Sequence, residues 1–513
     1  MTKSRLNSRV AAIDIGSNAL RIQFFERDKA SRIRIAKTLR RPVRLGRDVF
    51  HNGRILELTF KSALSAMKEF RKWIDEYRVS QVAAVATSAV REAANGAEFV
   101  RRVARETKIK VQVIGGAEEA RLIIAAVLER MDLRDQNAVH IEVGGGSVEV
   151  SLIENANIQA TMTHKLGAVR LMELLNSPSY NEKAFRKIVR EYVSVTRKKL
   201  KNSLGKNKID RFIATGGNID SLIWLIGRTR WGKIKMDNGV PKISYATLVK
   251  VLRKLSLYSF QERVDKLQVR PDRADVIIPA GIVYASFAEM AKAGWIYAPG
   301  AGVREGLALE LFRREEKSHQ EEKHKQLISS AKALGRKYGF DQTHAEDVTS
   351  YALQLFDALK KVHGLGKWER VLLEAASLLH DIGYFVEIAH HHKHTFYLIS
   401  ESDIVGLSPH DRLLVANIAR YHRKALPNAG HEPFSSLTPK DKKLVSELAS
   451  LLRIADALDR EHAPHKRPLK IRVRKNKLTL GLKSAQDLRL ERWALASKSD
   501  LFAKTFRRKV EIN

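Results

Sequence analysis

The sequence predicts an α/β protein with two related halves, followed by a helical region and a small α+β piece at the C-terminal end. Hairpin-like segments with Gly/Ser turns at Gly16 and Gly144, and alternating strand and helix patterns after each, predict the duplicated α/β part. Helical periodicity from residue 327 to about 460, with no convincing strand, predicts the helical region.

The two hairpins share one sequence plan. A β-rich run ends in an acidic residue, Asp14 or Glu142, and a Gly/Ser turn then leads into a second β-rich run. Gly and Ser let the backbone approach a ligand and point N–H groups at it, which suits phosphate, and the carboxylate suits a magnesium ion carried by that phosphate. A single turn of this kind often only reverses the chain direction. Two such turns predict two related halves of the protein that face one phosphorylated ligand.

The first half has the pattern strand, strand, helix, strand, helix. The predicted bounds are 54–77 for a helix, 81–86 for a buried strand, 98–107 for a helix, 111–114 for a strand and 117–130 for a helix. Glu118 and Glu119 lie in the first turn of the last helix, where the helix dipole favours negative charge.

The second half spans about 138–305. Its predicted elements after the hairpin are helices at 168–176 and 181–201 and a strand at 211–214. That strand runs into Thr215-Gly216-Gly217-Asn218 and another helix. Open α/β sheets place ligands at such strand ends.

The rest of the chain changes in composition. Residues 313–326 are rich in Arg, Glu, Lys, His and Gln, which predicts a solvated helical connector, and an alternating pattern resumes from Pro468. The predicted domains are therefore residues 1–130, 131–312, 313–465 and 466–513.

Charge is the most unusual bulk property. Ninety-two Lys and Arg against 57 Asp and Glu give a net charge of +35, densest at 32–47, 197–201 and 507–509. Such a field attracts polyanions, namely nucleic acid, inorganic polyphosphate or an anionic membrane surface, although solubility alone would also account for it. No nucleic-acid-binding signature is present, and aromatic residues are not interleaved with the basic runs.

The sequence also bears on location. It has no cysteine, no uninterrupted apolar run of membrane-spanning length and no signal-peptide core after Met1. These features predict a cytoplasmic protein without disulfides, Cys-ligated metals or a transmembrane segment.

Carboxylates and amide-rich loops supply the candidate chemistry in the first two domains. Hydrolysis of a phosphoric anhydride needs a positioned water, a base and cations that neutralise oxygens. Glu119, Glu142 and Glu149 would supply base and magnesium sites, and Arg91 could bind a phosphate through its fork of N–H groups. The alternatives are helix N-terminal charge for Glu119, a solvent-facing strand position for Glu149 and a surface position for Arg91.

Histidines and aspartates supply a second candidate site, in the helical region. His380 and Asp381 are adjacent after an apolar helix, His344 precedes them and Asp456 lies on a later helix. Two His and two Asp suit Mn²⁺, Mg²⁺, Fe²⁺ or Zn²⁺. His392, His394 and the Tyr421-His422-Arg423 segment could hold phosphate or a second metal, while each histidine taken singly is also compatible with a structural role.

An ordered set of motifs resembles the exopolyphosphatase / guanosine pentaphosphate phosphohydrolase (Ppx/GppA) family over nearly the whole chain. The motifs are Ala12-Ile13-Asp14-Ile15-Gly16-Ser17-Asn18, Ala86-Thr87-Ser88-Ala89-Val90-Arg91, Ile114-Gly115-Gly116-Ala117-Glu118-Glu119-Ala120-Arg121-Leu122, Val143-Gly144-Gly145-Gly146-Ser147, Ala214-Thr215-Gly216-Gly217-Asn218 and Val303-Arg304-Glu305-Gly306. The resemblance implies two actin-like (ribonuclease H-like) ATPase-type domains with the site between them. It also implies an all-α HD-type domain and a small C-terminal domain.

The resemblance assigns roles by position. Glu119 matches the catalytic base, and Glu149 the acidic residue that helps hold magnesium and the attacking water. The matching phosphate-binding residues are Gly16, Ser17, Asn18, Arg91, Gly144, Gly145, Gly146, Ser147, Gly216 and Gly217, and the matching magnesium ligands are Asp14, Glu142 and Glu149. Glu142 stands where the family usually has Asp, which keeps the charge but changes the metal geometry.

These assignments predict a processive exopolyphosphatase that uses Mg²⁺ or Mn²⁺ and releases orthophosphate. The alternatives are hydrolysis of guanosine pentaphosphate at the same site, or a non-catalytic sensor of polyphosphate or of guanosine tetra- and pentaphosphate. His344, His380, Asp381 and Asp456 retain the HD-type ligand pattern, so a second divalent metal there is a further hypothesis. A homodimer is expected from the resemblance alone.

Overall fold

The computed structural model describes residues 9–28, 32–175, 187–196, 198, 208–313, 317–459, 469–482 and 488–512. The chain divides into two compact units between Glu321 and Glu322. Part of the predicted helix 181–201 and part of the basic run 197–201 lie outside the described residues.

The first unit opens with a five-stranded sheet. Its strands are β1 (Val10–Ile15), β2 (Leu20–Arg27), β3 (Ile33–Arg41), β4 (Gln81–Ala86) and β5 (Val111–Val113). The helices of this part are α1 (Leu45–Asn52), α2 (Glu57–Glu76), α3 (Ser88–Glu92), α4 (Gly96–Thr107) and α5 (Gly116–Leu128). The apolar faces of β1, β2, α2 and α4 form its core, in which Phe24, Phe70 and Phe99 are fully buried.

A seven-stranded sheet completes the first unit. Its strands are β6 (Asn137–Val143), β7 (Val148–Glu154), β8 (Asn157–His164), β9 (Arg211–Thr215), β10 (Lys235–Asp237), β11 (Val240–Ser244) and β12 (Trp295–Tyr297). The helices are α6 (Ala168–Leu175), α7 (187–196), α8 (Gly217–Thr229), α9 (Tyr245–Leu255), α10 (Phe260–Asp265), α11 (Pro271–Ala274), α12 (Ile277–Met290) and α13 (Val303–Arg313).

The two sheets repeat one topology. The first has the order β3-β2-β1-β4-β5, and the second contains β8-β7-β6-β9-β12 with β10 and β11 added beyond β12. In each, three antiparallel strands form the hairpin side, and β4 or β9 then joins the first strand in parallel. This repeat confirms the predicted duplication, and it places both Gly turns after the equivalent strands β1 and β6.

The last helix of this unit returns to the first sheet. α13 packs against α5, β1 and β4, although it follows the second sheet in the chain. The approach is close at Gly306, where an added Cβ atom would lie 2.1 Å from the carbonyl oxygen of Leu122. Only glycine therefore allows the two helices this separation.

Gly306→Ala is expected to destabilise the first unit by about 1–3 kcal/mol, because the methyl group forces two packed backbones apart. Urea denaturation of the full chain measures the loss. Gly294→Ala is the matched control, since nothing lies within 4 Å of a Cβ atom there. Equal stability of the two variants would contradict the close approach of α5 and α13.

The C-terminal unit is mainly helical. Its helices are α14 (Lys317–Lys337), which begins within the first unit, α15 (Gln342–Ala358), α16 (Lys360–His363), α17 (Lys367–Leu379), α18 (His391–Ser400), α19 (Pro409–Arg420), α20 (Glu432–Ser435), α21 (Pro439–Leu458), α22 (Arg489–Lys498) and α23 (Asp500–Phe506). A small sheet of β13 (Leu469–Val473), β14 (Lys477–Leu482) and β15 (Lys509–Ile512) shares one apolar core with the helices through Leu478, Leu480 and Phe502.

Most predicted elements are confirmed within a few residues, including the helix at 54–77, the strand at 81–86 and the change to helices after residue 327. The strand β3 was not predicted, since its residues were interpreted only as a basic patch. The predicted domain bounds at 130, 312 and 465 stay a prediction. Among the described residues, no helix combines the length and apolarity that a bilayer crossing requires.

Candidate active site

The two Gly turns lie against each other. An added Cβ atom on Gly145 would lie 2.9 Å from Cβ of Ser17, and one on Gly146 would lie 2.4 Å from Oγ of Ser88. The Ser17 and Ser88 hydroxyls are 2.9 Å apart and both side chains are buried. The structure therefore brings together the predicted turns after β1 and β6, and it adds Ser88 from the start of α3.

Backbone and amide contacts fix the first turn. The N–H of Gly16 donates to the carbonyl oxygen of Ala19 at 3.2 Å, which closes the turn. Asn18 Nδ2 donates to the carbonyl oxygen of Asp272 at 3.0 Å. Asp14, on β1, faces Arg21 on β2, and Oδ2 of the former lies 3.9 Å from Nη1 of the latter.

The second hairpin carries two facing glutamates. Glu142 on β6 and Glu149 on β7 are paired in the strand register, and Glu149 is fully buried. The Thr215 hydroxyl donates to Oε2 of Glu142. Gly216 has φ of +102°, and a Cβ atom there would lie 2.9 Å from Oε1 of Glu142, so glycine is required beside this carboxylate.

Glu119 lies in the first turn of α5 and directs its carboxylate toward the same region. Its Oε2 atom is buried and has no hydrogen-bond partner. Burial raises the pKa of Glu119 well above its usual value. The negative charges of Glu149, Asp14 and Glu142 raise this pKa further, and the positive charge of Arg91 opposes the shift. Burial likewise raises the pKa of Glu142 to about 8. Four carboxylates therefore converge on one region, which we call the acidic cluster.

A cavity of about 660 Å³ adjoins the acidic cluster and is lined by Asp14, Glu119 and Glu142. Its other lining side chains include five arginines: Arg21, Arg40, Arg270, Arg273 and Arg304. Burial lowers the pKa of Arg273 to about 9 and that of Arg40 to about 10, and the nearby Arg21 lowers both. Guanidinium groups that repel one another in a cavity favour a bound anion.

Only some of the predicted site residues line this cavity. Gly216 and Gly217 line it together with the three carboxylates already named. The Gly16–Asn18 turn, the 144–147 turn, Glu149 and Arg91 are not among the residues that line it. Arg91 Nη1 donates to the carbonyl oxygen of Ile114 at 2.5 Å. The arginines of the cavity were not predicted as ligands, although Arg40 lies in the basic patch 32–47 and Arg304 lies in a quoted motif.

The acidic cluster fits a hard divalent cation. Carboxylate oxygens are the ligands that Mg²⁺ prefers, and Oε2 of Glu119 is buried without a hydrogen-bond partner from the protein. Oε2 of Glu305, at the same cavity, is also buried without a hydrogen-bond partner.

Binding of Mg²⁺ to the acidic cluster is expected to depend on pH, because a metal ion and a proton compete for Glu142. With a pKa of about 8, this carboxyl is mostly neutral at pH 6 and ionised at pH 9. The Mg²⁺ concentration for half-maximal binding, measured by isothermal titration calorimetry, should fall about tenfold per pH unit below pH 8 and level off above it. Glu142→Gln should flatten this profile; an unchanged slope in the variant would contradict the assignment.

The predicted residues of the C-terminal unit also converge. His344 Nε2 lies 3.7 Å and His380 Nε2 lies 3.5 Å from Oδ2 of Asp381, and the three side chains form one possible metal-binding group. Burial lowers the pKa of His380 to about 4, although Asp381 opposes this shift. Asp456 Oδ1 is 3.9 Å from His344 Nε2, while its other oxygen accepts from Lys498.

The remaining predicted histidines divide into two groups. His422 Nε2 is 3.3 Å from Oδ1 of Asp381, and His391, which was not predicted, is 3.1 Å from the same oxygen. His394 lies 3.7 Å from Glu387 instead, and His392 belongs to neither metal-binding group of the described residues.

Two sheets of repeated topology, with carboxylates at the facing turns, define the actin-like class of α/β proteins. The chain belongs to the Ppx/GppA phosphatase family: the family model matches residues 25–315, and the model of Ppx/GppA phosphatase domain III matches residues 328–503. Membership of this family identifies the protein as a phosphatase, and therefore as a hydrolase. It confirms the family resemblance that the sequence motifs indicated.

Relatives carry two different names. A guanosine-5'-triphosphate,3'-diphosphate pyrophosphatase of Photobacterium profundum is 25% identical over 513 residues, which cover 97% of this chain and 95% of that protein. An exopolyphosphatase from Cytophaga hutchinsonii is similar in structure, with a TM-score of 0.54, 24% identity and coverage of 60% of this chain and 98% of that one. An Aquifex aeolicus member of the Ppx/GppA family has a TM-score of 0.51, 27% identity and coverage of 60% and 99%.

Proposed function

We propose that this phosphatase is an exopolyphosphatase, which removes the terminal phosphate from inorganic polyphosphate. The observation that supports it best is the arginine-lined cavity that adjoins the acidic cluster and its unpartnered Glu119 oxygen. A polyanion matches the cavity, and the net charge of +35 suits a long anionic chain better than a single nucleotide.

In the proposed reaction, Glu119 orients a water molecule and accepts its proton as the water oxygen attacks the terminal phosphorus. The P–O bond to the next phosphate breaks, orthophosphate leaves and the chain is one phosphate shorter. A raised pKa suits Glu119 to this exchange of protons near neutral pH. Asp14, Glu142 and Glu149 would hold Mg²⁺, which would neutralise charge on the phosphate oxygens.

The phosphate-binding groups follow from the same proposal. The Gly16–Asn18 and 144–147 turns would hold the terminal phosphates with backbone N–H groups, and Gly216 and Gly217 would allow close approach from the other side. Arg91, with one N–H group on Ile114, would act mainly through its charge beside Glu119. Arg21, Arg273 and Arg304 would bind the following phosphates.

One observation favours a nucleotide as a second candidate substrate. Trp224 lines the cavity with 47% of its surface exposed, and Ile35 lines it with the same exposure. An exposed indole beside a phosphate site can stack on a base. Guanosine pentaphosphate, the substrate class in the name of the Photobacterium relative, would place its base there.

Comparison of the two substrates tests the proposal. We expect kcat/KM for long-chain polyphosphate to exceed that for guanosine pentaphosphate, and Trp224→Ala to change the polyphosphate value by less than about twofold because no base stacks there. Trp493→Ala, at an indole of the C-terminal unit with 67% exposure, is the matched control. Preference for the nucleotide, with a loss of about tenfold or more in Trp224→Ala, would instead support the second candidate.

A further inference from the structure

The start of α6 packs directly on the second Gly turn, which spans residues 144–147. The first two N–H groups of this helix donate to the carbonyl oxygens of Gly144 and Gly145, at 2.8 and 2.9 Å. Nε of Arg170, in the first turn of the helix, donates to the carbonyl oxygen of Gly146 at 3.1 Å. Three successive carbonyl groups of the turn therefore point toward one helix.

These bonds also orient the N–H groups of the turn. Every peptide bond among the described residues is trans, and the C=O and N–H groups of a trans peptide unit point in opposite directions. Because the carbonyl groups of residues 144–146 face α6, the N–H groups of residues 145–147 point away from it. Within the described residues, neither Gly145 nor Gly146 uses its N–H group in a backbone hydrogen bond. Successive N–H groups on one side of a turn form a concave surface that binds anions.

Arg170 also contacts two helices that belong to the first sheet. Its Nη2 donates to both carboxylate oxygens of Glu92, at 3.0 and 2.9 Å, and Glu92 directly follows Arg91 on α3. Its guanidinium carbon lies 4.0 Å from the ring centroid of Phe50, which is on α1 and packs against the apolar cores of both sheets. The Arg170 side chain is 20% exposed. One mostly buried guanidinium therefore joins the second Gly turn to the first sheet.

Close packing holds the turn between α6 and the Phe50 ring. A Cβ atom on Gly167 would lie 2.3 Å from the backbone nitrogen of Gly146, and one on Gly146 would lie 2.3 Å from Cζ of Phe50. Arg170 supplies the hydrogen bond to the Gly146 carbonyl oxygen within this enclosed space. A displacement of its guanidinium would therefore change the orientation of the last peptide unit of the turn.

We propose that Arg170 is a positioning residue for phosphate transfer. By binding the Gly146 carbonyl oxygen and Glu92 together, it directs the N–H groups of the turn toward the substrate only while the turn is seated against the first sheet. Because its charge is paired with Glu92, Arg170 acts through the turn and is not itself a phosphate ligand. This inference rests on the proposed function, in which the 144–147 turn holds the terminal phosphate.

A split between kcat and KM tests the proposal. Arg170→Gln should lower kcat for phosphate release about 10- to 100-fold, because N–H groups directed at developing charge stabilise mainly the transition state. KM should change by less than about threefold, since the cavity arginines are unchanged. Arg170→Lys should recover little activity, because an ammonium group lacks the fork that reaches Glu92 and Gly146 together. The assay uses whichever candidate substrate the wild type hydrolyses faster, so a wrong substrate assignment is detected separately.

A second variant tests the connection to the first sheet. Glu92→Gln keeps the size of the side chain but removes the charge that holds Arg170. It should also lower kcat, and the double variant should be no slower than Arg170→Gln alone, because both changes break the same linkage. Effects that multiply in the double variant would overturn the linkage.

Binding of inorganic phosphate gives a readout that does not need turnover. By isothermal titration calorimetry, Arg170→Gln should have a Kd for orthophosphate about tenfold higher than the wild type. Arg370→Gln is the matched control, because Arg370 forms a similar pair with Asp357 in the C-terminal unit, with both contacts at 2.9 Å. It should match the wild type in Kd and kcat. Urea denaturation verifies that each variant is folded, and Glu92→Gln is measured in the same way should Arg170→Gln not fold. Wild-type Kd and kcat in Arg170→Gln, or equal losses in Arg370→Gln, would overturn the positioning role.

Discussion

Glu119→Gln is expected to lower kcat for phosphate release from polyphosphate by about 10²–10⁴-fold, the usual contribution of a general base. The amide keeps the size of the side chain but cannot accept the proton of the attacking water. Replacement should not destabilise the fold, because the change removes a buried carboxylate that Glu149, Asp14 and Glu142 repel. Single-turnover phosphate release with saturating Mg²⁺ measures the effect.

Glu98→Gln is the matched control for this prediction. Glu98 also lies in the first turn of a helix, α4, but it is exposed and does not line the cavity beside the acidic cluster. Its variant should retain wild-type turnover. If Glu119→Gln released phosphate at the wild-type rate, the proposed mechanism would be wrong, and a wild type without turnover would support the sensor alternative instead.

Arg21→Gln is expected to raise KM for polyphosphate about 10- to 100-fold, which corresponds to the loss of about 1.5–3 kcal/mol from one hydrogen bond to a charged group. Arg21 lines the cavity, and its charge adds to burial in lowering the pKa of Arg40, Arg273 and Arg304, so it lies close to all three. We also expect the slope of log KM against log salt to fall by about one, because one phosphate contact is lost.

Arg253→Gln is the control for nonspecific charge, because Arg253 is exposed on α9 and lies outside the cavity lining. It removes the same charge and should leave KM close to that of the wild type. Equal effects of the two variants would mean that net charge, and not the cavity, attracts the substrate. A lower kcat with an unchanged KM in Arg21→Gln would contradict a binding role.

The duplicated fold could be predicted because each repeat carries its own local signal. Gly-containing hairpins and apolar periodicity mark β1, β2, β6 and β7 directly in the sequence. β3 escaped prediction because its basic residues dominate its composition, and it is held mainly by pairing with β2. The three-residue strands β10 and β12 carry too little sequence for any periodicity.

Only those site residues that stand in a short sequence motif could be predicted. The glycine turns, Glu119 and the His380-Asp381 pair stand in recognisable segments. The arginines of the cavity come from β2, β3, the segment around α11 and α13, which only the fold brings together. His391 stands in a run of histidines from 390 to 392, and helix orientation alone decides which of them reaches Asp381.

We call the first sheet with the helices that pack on it the first lobe, and the second sheet with its helices the second lobe. Because α13 packs on the first sheet but follows the second sheet in the chain, the first lobe is built from two separate segments of the sequence. The parts of α5 and β1 that pack against α13 stay uncovered until residues 303–313 have been synthesised. Because translation delivers the chain from its N-terminus, the first lobe cannot finish folding on the ribosome before the second has emerged completely. The duplicated lobes therefore mature together as one folding unit, and a fragment that ends before Val303 would expose an apolar surface prone to aggregation.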